Sequence, residues 1–293
     1  MSEPKIYIWT NRVVKDGRID NKGNEPATES FAVARVTDFD SMDYEILLPD
    51  SNGTPPSKQM VEELHSDNGD TLVFIHGFAN TFKDNQDHIR KLKKLYLDNP
   101  KHSIKNLVYV SWSSTGSLLR YGNDSKDAFK TGQCLGRMFE YLGEYLMEMP
   151  ECGNNYYLLA HSMGNQVLQH TIKSISNPFP FFKAIALLHA DIDWDVFSKE
   201  ETFYMKNVNK LARRTIIVTD EQDVVLSKIS RYTKNNGVPR LGNGVFGKLP
   251  VRVRQLDVTH LNLADTFREK NLDHWGYLED TMARPMINNE IFK

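Results

Sequence analysis

The distribution of apolar residues changes near residue 71 of this 293-residue chain. Beyond that point, short continuous apolar runs alternate with longer segments whose apolar residues recur at helical spacing. Continuous runs of this length are typical of strands buried on both faces. Such runs predict strands at residues 71–75, 106–112, 156–160, 183–190, 214–219 and 251–258. Alternating strands and helices predict a parallel sheet with right-handed crossover connections.

The first 50 residues follow a different pattern. Residues 6–14, 31–36 and 44–48 predict short strands joined by polar turns, with no helix between them. Because strands joined without helices pair antiparallel, we expect residues 1–50 to form an antiparallel edge. The whole chain, residues 1–293, is therefore predicted to be one α/β domain with a mostly parallel central sheet flanked by helices.

One predicted strand-to-helix junction carries candidate chemistry. Residues 160–164 read Ala-His-Ser-Met-Gly, between an apolar run and a segment with helical periodicity. A sharp turn at this point exposes the serine and crowds the positions two before and two after it, which must be small. Ala160 and Gly164 meet that condition. We therefore predict that Ser162 is a nucleophile.

A nucleophilic serine needs a histidine that takes its proton and an acid that orients the histidine. In open α/β sheets these partners follow later strands, in the order serine, acid, histidine. Asp223 follows the strand predicted at residues 214–219, and His274 follows the strand predicted at residues 251–258 after a connecting stretch. We predict that Asp223 and His274 complete a triad with Ser162.

Other residues in the same regions remain alternatives. Asp220 and Glu221 lie beside Asp223, and His260 lies at the immediate end of the last predicted strand. If the acid follows the preceding strand instead, Asp191 or Asp193 takes the role, with Asp191 the first alternative.

The oxyanion formed on attack needs backbone N–H donors. Met163 supplies one at the start of the predicted helix, where first-turn N–H groups are unpaired and the helix dipole is positive. Phe78 or Ala79, in the loop after the first parallel strand, supplies the other. The predicted substrate pocket contains Trp112, Tyr121, His161 and Asp191, and we expect the loops at residues 113–124 and 235–250 to border it.

The order of these segments resembles the α/β-hydrolase superfamily, and within it the bacterial branch of unknown function called DUF900. The resembling segments are residues 6–12, 74–82, 111–121, 158–167, 190–197 and 223–227. The resemblance implies the α/β-hydrolase fold and an esterase-like or lipase-like activity. Ala160 departs from the pattern, since the wider superfamily has a glycine there, and Trp275 stands where the family more often has a serine after the histidine.

The composition of the chain indicates which kinds of partner and cofactor to expect. The net charge is −2 with both signs interspersed, which disfavours a nucleic-acid surface. Cys134 and Cys152 lie outside any metal-binding or disulfide pattern, so we expect neither a metal nor an organic cofactor. The first residues lack a signal-peptide pattern, and no apolar run approaches the roughly 20 residues of a membrane helix. We therefore expect a cytoplasmic protein without membrane insertion; the oligomeric state stays open.

Together these features predict hydrolysis of a small carboxylic ester through an acyl-enzyme. Thioesterases, lactonases, amidases and acyltransferases use the same residues, so those activities are alternatives. A binding or signalling protein that keeps the fold without turnover is the alternative from another class.

Overall fold

A computed structural model of the protein describes most of the chain. The described residues are 3–23, 28, 31–66, 69–117, 120–148, 153–198, 205, 207–230, 237–244, 248–261 and 275–293.

A nine-stranded sheet forms the centre of the fold, with the strand order β11-β10-β9-β8-β6-β7-β1-β4-β5. Its strands are β1 (Lys5–Thr10), β4 (Ala32–Asp38), β5 (Asp43–Ile46), β6 (Asp70–Ile75), β7 (Ile104–Ser111), β8 (Tyr156–His161), β9 (Phe182–Leu188), β10 (Thr215–Thr219) and β11 (Val253–Asp257). Neighbouring strands from β11 to β1 are parallel, whereas β4 pairs antiparallel with β1 and with β5. The short strands β2 (Val14–Lys15) and β3 (Arg18–Ile19) form a separate hairpin.

The mostly parallel sheet with an antiparallel edge confirms the predicted fold class. One detail differs, because β1 ends at Thr10 and also pairs in parallel with β7, with Ile8 opposite Tyr109. The side chains of Tyr7 and Ile8 point to opposite faces and both are buried. A strand that is apolar on both faces is stable inside a sheet, and the edge strand on this side of the sheet is β5, beyond β4.

Six α-helices connect or flank the described strands: α1 (Pro56–Ser66), α2 (Phe82–Leu92), α3 (Tyr121–Glu148), α4 (Gly164–Ser174), α5 (Val208–Leu211) and α6 (Ala283–Ile291). A π-helical turn, Lys93–Leu97, continues α2, and another covers Val225–Ser230. Short 3-10 helices cover Leu241–Asn243, Thr259–Leu261 and Gly276–Leu278. Because α3 begins at Tyr121, the predicted loop 113–124 ends earlier than expected, and Asp124 lies in the first helical turn.

The hydrophobic core lies on both faces of the sheet. One face packs against α1, α3 and α4, and Val73, Leu135 and Val167 belong to the cluster on this face. The other face packs against α2 and α6, with Phe74 and Ile89 in the second cluster. Helices on both faces leave the carboxyl ends of β6, β8, β9 and β10 at one shared edge, where ligands bind in folds of this kind.

Candidate active site

Ser162 lies in the turn between β8 and α4, and its backbone φ angle is +52°. A non-glycine residue in this left-handed region is strained, and it persists only where surrounding contacts enforce it. The N–H of Ser162 donates to the carbonyl of Leu188 at 3.0 Å. The carbonyl of Ser162 accepts the N–H groups of Asn165 and Asp191 at 3.0 and 3.1 Å. These bonds hold the serine at the carboxyl edge of the sheet.

Close packing around the turn requires glycine at two positions. A Cβ atom at Gly164 would lie 2.6 Å from the carbonyl oxygens of both Ile75 and His76. A Cβ atom at Gly77 would lie 2.9 Å from the Cβ of Ser162. Because backbone atoms cannot move aside as the end of a side chain can, these glycines allow the end of β6 to approach the serine.

Two backbone N–H groups next to Ser162 are suited to hold an oxyanion. Met163 immediately precedes α4, and its N–H donates to no acceptor within the described part of the chain. In the loop after β6, the backbone N–H of Ala79 faces the buried carboxyl group of Asp124, whose pKa is raised by burial and lowered by this N–H. The N–H of Phe78 has no acceptor among the described residues. Phe78 is therefore the stronger candidate for the second donor.

A buried cation supports this loop. Arg12, only 1% exposed, donates through Nη2 to the carbonyls of Asn80 at 2.7 Å and Ser114 at 3.2 Å. Burial lowers the pKa of Arg12 to about 10, so the side chain stays charged at neutral pH. Asp124 accepts the hydroxyl of Ser114 at 2.8 Å and the N–H of Thr115 at 3.2 Å, while burial raises the pKa of its carboxyl group. Arg12 and Asp124 together fix the backbone around the candidate oxyanion donors.

His76 and Trp112 form a stacked pair beneath the same loop. The N–H of Trp112 donates to Nε2 of His76 at 3.1 Å, so Nδ1 carries the proton and donates to the carbonyl of Gly77 at 2.7 Å. Burial holds the pKa of His76 well below its usual value. The neutral ring stacks on the fully buried Trp112, with ring centroids 5.1 Å apart. Trp112, a predicted pocket residue, therefore contacts the loop from within the core.

The predicted acid, Asp223, is buried after β10 and hydrogen-bonded at both carboxylate oxygens. Its Oδ2 accepts a hydrogen bond from Nδ1 of His189 at 2.7 Å, and its Oδ1 accepts the N–H of Leu226 at 3.0 Å. His189 directly follows β9 and has a φ angle of +43°. Its ring stacks on Tyr277, with centroids 4.0 Å apart and 8° between the ring planes. The structure thus pairs Asp223 with a histidine that the sequence analysis did not select.

The predicted base, His274, lies outside the described residues. The residues that follow it do reach the site. Trp275 packs edge to face on His161, with ring centroids 5.2 Å apart, and Tyr277 stacks on His189. The chain immediately after the predicted base therefore lies beside the serine turn.

Asp191 belongs to a buried ion-pair network. Its Oδ1 lies 3.0 Å from Nε of Arg240 and accepts the hydroxyl of Ser230, and its Oδ2 accepts the hydroxyl of Tyr121 at 2.7 Å. Arg240 also pairs with Asp193. Burial lowers the pKa of Arg240, but Asp191, Tyr121 and Asp193 together raise it above its usual value. Because Arg240 neutralises the charge of Asp191, Asp191 is a weaker candidate than Asp223 for orienting a base.

Two predicted pocket residues lie close to the serine turn. Tyr121 packs edge to face on Phe78, with ring centroids 5.3 Å apart, and burial raises the pKa of its hydroxyl. His161 is the last residue of β8 and is buried directly before Ser162. Of the two loops expected to border the pocket, residues 237–244 and 248–250 of loop 235–250 are described, together with residues 113–117 and 120–124 of loop 113–124.

Three residues of the candidate site, Arg12, His189 and Arg240, were not predicted from the sequence. Arg12 and His189 carry a usable signal, because each is a polar residue just beyond the carboxyl end of an apolar strand, as Asp191 is. Arg240 carries none, since it lies in a loop and its partner Asp193 is 47 positions away in sequence.

The described residues contain no group of three or more His, Cys, Asp and Glu arranged to hold a metal ion. Among the same residues, no helix has both the length and the apolar character that crossing a membrane requires.

Comparison with known proteins identifies the family. The family model described as an alpha/beta hydrolase of unknown function, DUF900, matches residues 55–289. The uncharacterized protein alr1448 of Nostoc sp. PCC 7120 is 26% identical over 85 residues, which are 29% of this chain and 21% of that protein. The chain therefore aligns with about a fifth of that relative's length.

A solved structure is also similar to this chain. It is that of a candidate cell surface hydrolase from Lactobacillus plantarum WCFS1, with 12% identity and a TM-score of 0.38, covering 78% of this chain and 100% of that one. A likeness at this level carries no argument about activity. The family model, in contrast, spans the serine turn, Asp223 and most of the parallel sheet. The protein therefore belongs to the DUF900 family of alpha/beta hydrolases.

Proposed function

We propose that this hydrolase cleaves carboxylic esters through an acyl-enzyme on Ser162. Asp223 is the acid and His274 the base of the triad, and the N–H groups of Met163 and Phe78 hold the oxyanion. The substrate is a small acyl ester, and no metal or organic cofactor takes part. A cytoplasmic location, without membrane insertion, stays a prediction from the sequence.

In the first half-reaction the Oγ of Ser162 attacks the ester carbonyl carbon while its proton moves to His274. The carbonyl oxygen becomes an anion between the two N–H donors, a contribution of about 3 kcal/mol per donor in enzymes of this type. The tetrahedral intermediate then expels the alkoxide, which takes the proton from His274 and leaves as the alcohol. In the second half-reaction water repeats these steps and releases the carboxylic acid and the free serine.

The observation that carries this proposal is the backbone of Ser162. A serine that merely caps a helix takes an extended conformation and bonds the first turn through its side chain. Ser162 instead has a φ angle of +52°, and the residue at the cap position of α4 is Met163, which makes no side-chain cap bond. Strain of this kind clusters at functional sites, where the surrounding contacts enforce it.

A fluorophosphonate probe tests the nucleophile, because it reacts with serines activated by a base. We expect the wild-type protein to take up label at one site and the Ser162→Ala variant to take up none. Ser41→Ala is the matched control, since Ser41 lies exposed in the turn between β4 and β5. A wild-type protein that takes up no label supports the binding or signalling alternative, and equal labelling of Ser162→Ala places the nucleophile elsewhere.

The reaction class is tested with a panel of p-nitrophenyl esters of graded acyl length, alongside matched thioesters, lactones and anilides. The proposal predicts the highest kcat/KM on an ester. A higher kcat/KM on a thioester, lactone or amide would show that esters are not the preferred substrates. It would not contradict the proposed triad. Product analysis in the presence of an added alcohol distinguishes hydrolysis from acyl transfer.

A further inference from the structure

The carboxyl group of Asp223 has a second buried partner that the proposed triad does not use. Nδ1 of His189 lies 2.7 Å from Oδ2 of Asp223, and both side chains are 5% exposed. An ionised carboxylate can only accept hydrogen bonds, so Nδ1 of His189 carries a proton and donates a hydrogen bond to Asp223. A hydrogen bond to a charged acceptor is among the strong ones, because the charge shortens and strengthens it.

The ring of His189 is held in this orientation from two directions. Tyr277 covers one ring face at 4.0 Å, in a nearly parallel stack. The left-handed backbone of His189, with a φ angle of +43°, turns the chain directly after β9. The N–H of His189 donates to the carbonyl of Val218 in β10 at 3.2 Å, which ties this turn to the strand that precedes Asp223. A strained residue tied down in this way holds its side chain with little freedom.

Asp223 accepts from His189 through Oδ2 and from the N–H of Leu226 through Oδ1. Because a carboxylate has about four acceptor positions, it can bind a positioning donor and a catalytic base at the same time. We propose that His189 is a positioning residue, which fixes the orientation of the Asp223 carboxylate and shares its negative charge, and so sets how strongly Asp223 holds the catalytic base.

This inference rests on the proposed function, in which Asp223 orients the base. In the described part of the chain, the ionisable groups that face His189 include Asp223, Asp220 and Tyr277, with Asp257 acting on Asp220. Burial raises the pKa of Asp220, and the nearby His189 lowers it. Without the hydrogen bond from His189, the negative charge of Asp223 is shared with one donor fewer. Asp223 then attracts the protonated base more strongly and stabilises it. The acid limb of the pH profile of kcat/KM then moves to higher pH.

The kinetic experiment compares His189→Leu with His189→Gln. Leucine removes the donor, whereas the glutamine amide retains one. We expect kcat to fall about 10- to 100-fold in His189→Leu, the effect of losing a hydrogen bond to a charged group, with KM unchanged. We expect the acid limb of the pH profile of kcat/KM to move to higher pH only in His189→Leu. His189→Gln should retain most of the wild-type kcat. His65→Leu is the matched control, because its ring packs on Tyr145 in another part of the fold.

A second measurement does not depend on activity. In 15N-edited NMR spectra of the wild-type protein, we expect His189 to carry its proton on Nδ1, with a downfield proton resonance that moves upfield in Asp223→Asn. An Nε2-protonated ring, or a resonance insensitive to Asp223→Asn, overturns the pairing. Equal losses in His189→Leu and His189→Gln, or an unshifted acid limb, overturn the positioning role. If the wild-type protein neither labels nor turns over esters, the proposed function fails, and the NMR result alone decides the pairing.

Discussion

At the residue scale, three non-glycine residues with positive φ angles lie at the same edge of the sheet. Ala79 (+58°), Ser162 (+52°) and His189 (+43°) follow the adjacent strands β6, β8 and β9. Each such residue costs on the order of 1 kcal/mol or more, and the surrounding packing must compensate. Strain of this kind clusters at functional sites, which supports the placement of the candidate site at this edge.

At the same edge of the sheet, Asp191 and Asp223 lead to opposite expectations. Asp191→Asn removes the charge that neutralises the buried Arg240, leaving Asp193 as its other carboxylate partner. We expect the free energy of unfolding to fall by about 2–3 kcal/mol, somewhat less than for a buried ion pair with no second partner. Turnover per folded molecule should change by no more than a few-fold.

Asp223→Asn should instead lower kcat by about 10³- to 10⁴-fold, because the base then adopts the wrong tautomer. Urea unfolding and ester hydrolysis measured on the same two variants check both expectations. If Asp191→Asn alone abolishes turnover while its unfolding free energy matches the wild type, the acid is Asp191.

At the scale of elements, the site depends on how closely the end of β6 approaches the start of α4. Glycine at the first position of α4 makes this approach possible, since Ile75 and His76 place carbonyl oxygens where a Cβ would lie. The start of α2 is stabilised locally instead, by hydrogen bonds between Thr81 and Asp84. One junction therefore depends on tertiary contact and the other on neighbouring residues.

Gly164→Ala tests the first junction. The added methyl group would lie 2.6 Å from two backbone oxygens, so β6 and α4 must separate. We expect a loss of about 2–3 kcal/mol in unfolding free energy, typical of overpacking, and a large loss of fluorophosphonate labelling. Gly122→Ala is the matched control, because a Cβ there has no described atom within 4 Å and helical alanine is favoured over glycine. If Gly164→Ala and Gly122→Ala had equal unfolding free energies and equal labelling, the close approach of β6 to α4 would be contradicted.

Thr81→Ala tests the second junction. Thr81 accepts the N–H of Asp84 at 3.2 Å, and Asp84 accepts the N–H of Thr81 at 2.7 Å, which together form a capping box. Loss of the threonine hydroxyl should lower the unfolding free energy by about 1 kcal/mol. Thr81→Ser keeps the hydroxyl and should stay close to wild type in the same urea titration. A Thr81→Ser variant as unstable as Thr81→Ala would show that the methyl group, and not the cap, matters.

At the scale of the whole molecule, the fold contains buried histidines, His76 and His88, that must remain neutral. Burial lowers the pKa of His88 to about 4 and holds the pKa of His76 well below its usual value. The ring of His88 stacks on Trp275, with centroids 4.2 Å apart, and bonds Tyr109 at 3.1 Å. The unfolded chain has ordinary histidines, which protonate below about pH 6.5. The folded state is therefore disfavoured as the pH falls below that value.

Urea unfolding at pH 7.0 and pH 5.5 measures this effect. For these two histidines we expect a loss of about 2 kcal/mol, since each contributes up to about 1.4 kcal/mol per pH unit below the unfolded pKa. His88→Gln should remove about half of the difference, whereas the exposed His260→Gln should leave it unchanged. Burial raises the pKa of Asp124 and of Asp220. Protonation of these carboxyl groups at lower pH favours the folded state and opposes the effect of the histidines, so the comparison goes no lower than pH 5.5.

Much of the fold was predictable from the sequence because its evidence is local. Short apolar runs indicated the strands of the parallel sheet, and the turn around Ser162 combines a strand end, small residues and a helix start within a few positions. The location of β1 was only partly predicted. Its parallel pairing with β7 produces no sequence pattern within β1 other than apolar residues on both faces. The start of α3 at Tyr121 was missed for a similar reason, since the preceding residues have a loop-like composition.

The residues of the candidate site likewise fall into those that the sequence predicts and those that only the tertiary structure reveals. The sequence by itself determined the fold class and singled out Ser162, Met163 and Asp223 as residues at the ends of apolar segments. Only the tertiary structure made Phe78 a stronger candidate than Ala79, placed Arg240 on Asp191, and paired His189 with Asp223. The reason is physical: a strand or turn is specified by neighbours in sequence, whereas a hydrogen bond between side chains 34 positions apart depends on strand order and on the close packing of the sheet edge.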